Sequence, residues 1–359
     1  MSLETQTTDT LPELSLVIPG LLGASWLPPM ELGVIFTGAV PVLCKFLSRS
    51  QEQLFPPISG FEEILFPLFQ VPKNPQGYFP VAPVAYGGEQ GSLSSDEFIM
   101  RADPVRLIPD GDSLLMLGNE ELDIELEEAQ QLAAELNTFY QDEGWYFEAP
   151  HPKRWYLRLK NGSHRSFAPL DFCIGKYLNG LLPQDQDAKS LRVLLNEIQM
   201  ILHRSPVNER REQKGRYPIN SLWFWGGGYA PKLGQTEWQH IFASETTALG
   251  LARLAAIPVT DPINHAVGYF QHLPRGKHLV YLPQLLPALV RGDGPAFYQA
   301  LQQMEQQWFL PIDKAVANKK LSVVNLIGGT QQQFKLTPKN LGHWWRRGQS
   351  YRYFYEKNH

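Results

Sequence analysis

Residues 199–228 constrain the fold of this 359-residue chain more than any other stretch. They begin as the end of an amphipathic helix, pass through a dense basic run and close with an apolar strand, residues 222–225, followed by three glycines. Pro206 and Pro218 exclude one continuous helix, because proline lacks a backbone donor and disfavours helical geometry in the residue before it. We therefore predict a helix, a basic loop, a buried strand and a glycine turn at the strand's carboxyl end, where ligands of α/β proteins usually bind.

The basic run suits an anionic ligand. A guanidinium group binds phosphate or carboxylate through two parallel hydrogen bonds. The polar residues of the run are His203, Arg204, Asn208, Arg210, Arg211, Lys214 and Arg216. A solvated basic loop followed by an ordinary core strand explains the same residues equally well, so spacing alone leaves both interpretations open.

Composition excludes several classes of protein. The net charge is −4, and without a long basic block this predicts no nucleic-acid partner. Cys44 and Cys173 give neither a disulfide framework nor metal-ligand spacing, which fits a reducing cytoplasm. The first fifteen residues lack the cationic lead of a signal peptide, and prolines interrupt the apolar run behind them, so we expect a cytoplasmic protein without a membrane span.

The pattern of elements predicts an α/β core with an inserted module. Residues 1–13 are expected to form a flexible tail, and residues 14–23 a buried first strand ending in a Pro-Gly turn. The Pro- and Gly-rich stretch 70–96 is typical of a long connection. Strands, a helix, strands and a second helix follow, and they predict an α+β domain at 97–205 inserted into a core formed by 14–96 and 206–359. One long helix is expected over 296–317.

The central stretch resembles the archaeal-type cofactor-independent phosphoglycerate mutases of the alkaline phosphatase superfamily. That family has a His-Pro-Val-Asn-x-x-Arg run, then a Gly, a Pro-x-Asn and a Trp-x-Trp-Gly-x-Gly strand. The matching residues here are His203, Pro206-Val207-Asn208, Arg211, Gly215, Pro218, Asn220 and Trp223-Phe224-Trp225-Gly226-Gly227-Gly228. Arg101-Ala102-Asp103 is similar to the family's Arg-Ala-Asn, and Ala266-Val267-Gly268-Tyr269 to its Ala-Thr-Gly-Tyr.

A closer resemblance covers almost the whole chain from Arg101 onward. The runs RADPVRL, LNTFYQDEGWYFEAPHPKRWYL, GKYLNGLLP, LLNEIQMILH and INSLWFWGGG look like those of bacterial RpfE-type regulatory proteins. Members of this group are sometimes described as phosphoglycerate mutases. The resemblance implies an alkaline phosphatase-like core with a mainly parallel sheet.

The catalytic groups that the mutase resemblance implies are largely missing. The reaction needs two divalent metals, a serine nucleophile and a phosphate-binding set. The family's first strand ends in a metal-binding aspartate, and Pro19 occupies that position here. The family's Ser-Asp-x-Ala-His run has no counterpart between residues 50 and 96, where Ser94-Ser95-Asp96 comes nearest. His278 and Asp293 lie too far apart for the family's His-x-x-x-x-Asp-x-x-Gly-His pattern.

We therefore predict a non-catalytic, regulatory phosphoglycerate mutase-like protein without a cofactor. It would bind a phosphorylated or carboxylated metabolite, or a protein partner. The expected ligand-binding residues are Arg101, His203, Asn208, Arg211 and Trp225. Arg211 would clamp the anion, while His203 and Asn208 would orient it. The same residues could instead fasten the inserted domain to the core through buried hydrogen bonds.

Two other functions stay open at this point. An active mutase or phosphatase with a rearranged site would need Mn²⁺ or Zn²⁺ held by at least three carboxylate or imidazole groups near the end of the first strand. His265, His272 and His278 do not share one helix face, which makes them a weak metal set. A pure interaction protein would expose an aromatic patch formed by Trp344, Trp345, Tyr351, Tyr353 and Phe354. A docked terminal helix with a frayed tail explains the whole aromatic C-terminal segment, residues 343–359, as well, and we favour this interpretation.

Overall fold

The computed structural model describes most of the chain. The described residues are 11–27, 40–75, 77–91, 95–120, 122–160, 167–182, 186–262, 266, 273–329, 331–342 and 348–357, with the backbone alone for 186–191. Most of the predicted tail, residues 1–13, lies outside these ranges. Across the described residues, no helix has both the length and the apolar character needed to cross a membrane.

The strands and helices alternate along much of the chain. The strands are β1 Glu13–Val17, β2 Gln51–Leu54, β3 Phe98–Asp110, β4 Ser113–Leu117, β5 Trp145–His151, β6 Arg154–Leu159, β7 Ser221–Gly228, β8 Trp238–Phe242, β9 Val259–Thr260, β10 Lys277–Tyr281, β11 Val323–Ile327 and β12 Gln332–Leu336. The α-helices are α1 Pro41–Arg49, α2 Val81–Gln90, α3 Leu126–Tyr140, α4 Leu170–Cys173, α5 Leu178–Leu181, α6 Gln186–His203, α7 Pro206–Gln213, α8 Thr246–Leu254, α9 Leu286–Val290, α10 Gly294–Met304, α11 Leu310–Ala317, α12 Pro338–Leu341 and α13 Tyr351–Glu356.

One sheet of the described residues is mainly parallel. Its strand order is β2-β12-β11-β1-β10-β8-β9. The four pairings from β11 to β9 are parallel, and β12 pairs antiparallel with both β11 and β2. Every residue of β1 after the first is buried, as expected for a central parallel strand covered on both faces. This sheet confirms the predicted α/β class with a mainly parallel sheet.

The predicted long helix over 296–317 contains an interruption. Between α10 and α11, residues Glu305–Phe309 form one π-helical turn. The carboxylate of Glu305 is buried there and accepts hydrogen bonds from the backbone nitrogens of Val42, at 2.6 Å, and Leu43, at 3.0 Å. Burial raises the pKa of Glu305. The N-cap residue Val40 has no side-chain acceptor, so Glu305 satisfies the amino end of α1 instead.

The second sheet is antiparallel. It has the order β4-β3-β6-β5, and β7 pairs with β3 as well. The thirteen-residue strand β3 therefore joins all three of its neighbours, β4, β6 and β7. Ala82 and Ala85 of α2 pack in one cluster with Ile99 and Tyr156 of this sheet.

The chain divides into two compact units. The first comprises residues 1–64, 234–248 and 252–359, and it holds the mainly parallel sheet. The second comprises residues 65–233 and 249–251, and it holds the antiparallel sheet. The second unit contains the whole of the predicted insertion, 97–205, and extends beyond it at both ends.

Two segments predicted as loops are helical. The expected connection 70–96 contains α2, in which most residues are buried, so packing outweighs the low helix propensity of Pro83, Gly87 and Gly88. The expected basic loop after Pro206 is α7. Proline is tolerated at the first position of a helix, and the Ser205 side chain caps this one by accepting from the backbone nitrogen of Val207 at 3.1 Å.

The glycines 226–228 are not a turn in a parallel sheet. They belong to β7, which runs antiparallel to β3. The apolar composition of β7 predicted a buried strand correctly, but composition does not show which sheet a strand joins. The expected ligand site at the carboxyl end of this strand was therefore placed in the wrong kind of sheet.

Candidate functional site

The carboxyl end of β1 is where a parallel sheet of this kind would bind a ligand. β1 lies between β10 and β11 and pairs in parallel with both. The residues that follow it, 18–22, are all buried. Pro19 comes second after the end of the strand, and its side chain has no atom that can bind a metal. The side chain at this position is thus apolar, whereas the mutase resemblance implies a carboxylate there.

Buried leucines lie at the carboxyl ends of β1 and of its neighbour β10. Leu282 and Leu285 follow β10, Leu289 lies in α9, and Leu21 and Leu22 follow β1; each is no more than 4% exposed. We call these five residues the leucine plug. An added Cβ at Gly328, just after β11, would lie 2.5 Å from the Cβ of Leu21, and one at Gly20 would overlap the side chain of Leu289, so the three chain segments are in close contact. The Tyr351 hydroxyl donates a hydrogen bond to the Leu21 carbonyl and fixes this segment further.

The described residues do not supply a metal set. Among them, no group of three His, Cys, Asp or Glu side chains is placed to hold a metal ion. Metals of the kind that the mutase resemblance implies prefer carboxylate and imidazole ligands, and the leucine plug offers neither. The residues present at the end of β1 therefore do not fit such a metal.

Of the histidines and serines considered from sequence for the metal and nucleophile sites, the structure describes His278 and Ser95, and neither belongs to a metal site among the described residues. His278 is fully buried in β10, and its Nε2 lies 2.8 Å from the Pro274 carbonyl oxygen. Burial lowers the pKa of His278, which favours the neutral ring. Ser95 is exposed and donates to the neighbouring Asp96 carboxylate at 2.8 Å. Ser94, His265 and His272 lie outside the described residues.

A substitution at Gly20 tests how tightly the leucine plug is packed. Gly20 has a φ of +78°, and an added Cβ would overlap the side chain of Leu289. We expect Gly20→Ala to lower the free energy of unfolding by about 1–3 kcal/mol, because of backbone strain and overpacking. Denaturant unfolding measures the change. Gly111→Ala is the matched control, since Gly111 also has a positive φ but has no atom within 4 Å of an added Cβ; equal losses would show that the plug is loosely packed.

Two of the predicted ligand residues meet in the antiparallel sheet. Arg101 and Trp225 are opposite each other in the β3–β7 pairing, and the guanidinium carbon lies 4.9 Å from the Trp225 ring centroid. Asp103 joins them: its carboxylate binds Arg101 Nε at 3.0 Å and Nη2 at 2.8 Å, and accepts from Trp225 Nε1 at 2.7 Å. All three side chains are buried. The charge of Arg101 is thus neutralised within the protein.

The side chains of Asn208 and Arg211 hold α7 in place through buried hydrogen bonds. The Asn208 amide donates to the carbonyls of Leu202, at 2.7 Å, and Ile219, at 2.8 Å, and accepts from the Ile219 nitrogen at 2.9 Å. The Arg211 side chain is fully buried. Its guanidinium donates to the carbonyls of Tyr217, Asp123 and Leu122 and pairs with the Glu128 carboxylate. This geometry favours the bracing role over an anion clamp.

His203 differs from the other four predicted residues because it is exposed, at the end of α6. None of the hydrogen bonds described above for Asn208 and Arg211 involves His203. The five residues therefore fall into a buried ion-pair cluster, a pair of braces and one surface histidine.

Other arginines of the second unit are neutralised in the same way. Arg154 forms a bidentate pair with Glu89, at 3.0 and 2.8 Å, and Arg158 forms one with Glu97, at 3.2 and 2.8 Å. Burial alone would raise the pKa of Glu89, but the hydrogen bond and charge of Arg154 outweigh it and lower the pKa. Arginines that already hold carboxylates lose much of the attraction that they would offer to an anionic metabolite.

Comparisons with known proteins give a partial likeness in sequence. No protein-family profile matches the chain. The 2,3-bisphosphoglycerate-independent phosphoglycerate mutase of Methanosarcina barkeri is 32% identical over 163 residues, 43% of this chain and 40% of that protein. The enzyme of the same name from Methanosarcina mazei is 27% identical over 123 residues, 32% of this chain and 30% of that protein. The matches thus span less than half the length of these relatives.

Two solved structures are similar over most of the chain. The PH0037 protein of Pyrococcus horikoshii superposes with a TM-score of 0.53 at 13% identity, covering 91% of this chain and 87% of that one. Part of this chain is thus similar in sequence to phosphoglycerate mutases, and the chain has an alkaline phosphatase-like fold. A cofactor-independent phosphoglycerate mutase from Thermoplasma acidophilum has a TM-score of 0.45 at 16% identity, covering 91% of this chain and 90% of that one.

The sequence reasoning missed the acidic partners of the predicted basic residues. The pairing of Asp103 with Arg101 could have been predicted from the sequence. Residues i and i+2 of a strand lie on the same face, and Asp103 follows Arg101 by two. Glu128 gave no such signal, since it precedes Arg211 by 83 residues and its contact depends on tertiary packing.

Proposed function

We propose that this phosphoglycerate mutase-like protein is non-catalytic and has a regulatory role, as its resemblance to RpfE-type regulatory proteins implies. The observation that supports the proposal is the leucine plug at the carboxyl ends of β1 and β10. Phosphoryl transfer by bound metals needs hard oxygen or nitrogen ligands and room for the substrate at one place. Buried leucines provide neither. A fold can persist after its chemistry is lost, because function depends on the site and not on the fold.

The regulatory role would depend on binding, without a cofactor and without nucleic acid or a membrane as partner. The resemblance favours a phosphorylated or carboxylated metabolite, or a protein partner. Internal neutralisation of Arg101 and Arg211 supports the protein partner more than the metabolite. A cytoplasmic location is part of the proposal, and it is supported by Cys44 and Cys173, which are both free thiols.

Metal titration tests the loss of catalysis. We expect the melting temperature of the purified protein to stay unchanged, within about 1 °C, in Mn²⁺ or Zn²⁺, and we expect no interconversion of 2- and 3-phosphoglycerate. A ligand that binds only the native state would stabilise it by about 2.7 kcal/mol at a hundred times its Kd, which a thermal shift detects easily. The Methanosarcina barkeri relative, treated identically, is the positive control for the assay.

The same titration separates the two kinds of partner. Stabilisation by 3-phosphoglycerate without metal would favour the metabolite, whereas no response would favour the protein partner. Stabilisation by Mn²⁺ together with mutase turnover would overturn the proposal and favour an active enzyme with a rearranged site.

A further inference from the structure

Two histidines lie on neighbouring strands of the mainly parallel sheet. His278 of β10 is directly opposite His240 of β8, and both strands belong to the first unit. On its other side His278 is opposite Leu14 of β1, and Val280 is on the same face, two residues further along β10. Leu14 and Val280 belong to the hydrophobic core. The imidazole of His278 is therefore set among apolar side chains, with a second imidazole on the adjacent strand.

The hydrogen bonding of His278 leaves no acceptor for a second ring proton. The side chain is fully buried, and its Nε2 lies 2.8 Å from the Pro274 carbonyl oxygen, which can only accept. Nε2 therefore carries the proton of the neutral ring, and Nδ1 is the unprotonated nitrogen. Among the described residues, Nδ1 is buried and has no hydrogen-bond partner. A proton added there would create a buried charge and a donor without an acceptor, and both are costly.

The charged groups next to this pair lie on the other face of the sheet or at the surface. Lys277 precedes His278 and pairs with Glu237, which precedes β8, and both side chains are more than a third exposed. Glu13 is opposite Lys277 on β1. Because successive side chains of a strand alternate between its faces, Lys277 and Glu13 belong to the face opposite His278. Asp261, just after β9, is exposed.

The two imidazoles favour the neutral form. Burial lowers the pKa of His278, and the Pro274 hydrogen bond opposes this only in part. Burial also lowers the pKa of His240, and the charge of His278 lowers it further. A histidine whose folded pKa lies below its unfolded value destabilises the folded state as the pH falls through the unfolded value, about 6.5.

The strands on the His240 side of β10 form one edge of the sheet. β9 has two residues, both exposed, and is the last strand on this side of the described sheet. The β8–β10 pairing contains a register shift beside His278. A short edge of this kind opens locally at a lower free energy than the centre of a sheet. Its opening exposes His240 and the β8 side of His278 to water, where both can take up protons.

We propose that His278 and His240 form an acid-sensitive latch: their protonation releases β8 and β9 from β10 while the rest of the first unit stays folded. Histidine protonation is a common trigger of conformational change near neutral pH. For one histidine that binds a proton only in the open form, lowering the pH from about 7.5 to about 5.5 increases the open population roughly tenfold. The latch lies in the first unit, and the inference does not depend on the proposed function.

Hydrogen exchange of the full chain at pH 7.5 and 5.5, followed by mass spectrometry, tests the latch. After correction for the intrinsic exchange rate, we expect the protection of β8 and β9 amides to fall about tenfold or more at the lower pH. The protection of β11, in the same sheet, should change by less than about twofold. Unchanged protection of β8, or an equal fall in β8 and β11, would overturn the proposal.

A glutamine variant assigns the pH dependence to the buried histidine. His278→Gln keeps a nitrogen donor for the Pro274 carbonyl but does not titrate, so the fall in β8 protection should shrink to less than about threefold. His203→Gln is the matched control, because it makes the same change at an exposed histidine of α6 and should leave the wild-type fall intact. Equal falls in the two variants would overturn the role of His278.

His240→Gln decides the question if His278→Gln does not fold. His240 is only half-buried, with its Nε2 2.8 Å from the Thr260 hydroxyl, so the variant should fold as the wild type does at pH 7.5. One of two titrating groups is then missing, and the fall in β8 protection should be at least about twofold smaller than in the wild type. A fall equal to that of the wild type would overturn the latch between the two histidines.

Discussion

Replacing Asp103 by asparagine is expected to lower the free energy of unfolding by about 3–5 kcal/mol, the usual cost of removing one partner from a buried ion pair. The Asp103 carboxylate is fully buried and binds Arg101, the backbone nitrogen of Trp155 at 3.2 Å and Trp225 Nε1 at 2.7 Å. An amide keeps the shape but removes the charge that neutralises Arg101, and its NH₂ group replaces one of the acceptors. Guanidinium unfolding at pH 7 measures the loss.

Two further variants show whether the ion pair is the cause. Asp142→Asn changes an exposed aspartate and should alter stability by no more than about 0.5 kcal/mol. The double variant Arg101→Met with Asp103→Asn removes both charges, keeps an acceptor oxygen at position 103 and should recover part of the loss, because no unpaired charge then stays buried. A loss below about 1 kcal/mol for Asp103→Asn would contradict the buried pairing and would make Arg101 available to an external anion again.

Elements whose apolar residues recur with the period of a helix or a strand could be predicted from sequence. The first strands and the first helix predicted for the inserted domain are observed as β3, β4 and α3, because the helical spacing of Leu132 and Leu136 and the turn at Gly111 specify them locally. The α/β class of the core followed from the pattern of strands and helices, whereas its mainly parallel sheet was implied by the family resemblance. The local sequence pattern is sufficient to predict a helix or strand when burial of one of its faces determines its conformation.

Elements that depend on tertiary burial could not be predicted. The helix α2 contains a proline and two glycines, which on propensity alone indicate a loop. The helix α7 begins at a proline that the sequence analysis took as a helix breaker, although Ser205 before it is a capping residue. The edge strand β2, with its sequence QEQL, has no apolar alternation at all and is defined only by its pairing with β12.

The candidate site shows the same limit. Sequence identified Arg101, Asn208, Arg211 and Trp225 as special, and four of the five predicted residues are indeed buried polar or aromatic groups. For Arg211 it could not show whether the cation was free to bind a ligand or already paired inside the protein, because its partner Glu128 is distant in sequence. Pro19 was different: its side chain excludes a metal ligand whatever its surroundings.

The C-terminal helix illustrates how burial decides between two interpretations. Tyr351 and Phe354, proposed from sequence for an exposed patch, are 1% and 6% exposed, whereas Tyr353 is 49% exposed. Trp344 and Trp345 lie outside the described residues. The alternating exposure is that of an amphipathic helix docked on the core, so these described residues do not form a contiguous aromatic surface.

Replacing Pro19 by aspartate restores the carboxylate that the mutase resemblance implies at the end of β1, and it is expected to destabilise the protein by about 3–5 kcal/mol without creating a metal site. Position 19 is buried, and the leucine plug offers no second ligand and no counter-charge. Burial raises the pKa of such a carboxyl. The loss should therefore be small below about pH 4, the unfolded pKa of aspartate, and should grow as the pH rises through the folded pKa.

Pro19→Asn is the matched control for this variant, because it also removes the proline ring but has no charge. The difference in unfolding free energy between the aspartate and asparagine variants isolates the cost of the buried charge, and Mn²⁺ should leave that difference unchanged. If Mn²⁺ instead stabilised the aspartate variant and not the asparagine variant, other ligands would have to converge on position 19. The end of β1 would then be a metal site that lacks one ligand, and this result would count against the proposal of a non-catalytic protein.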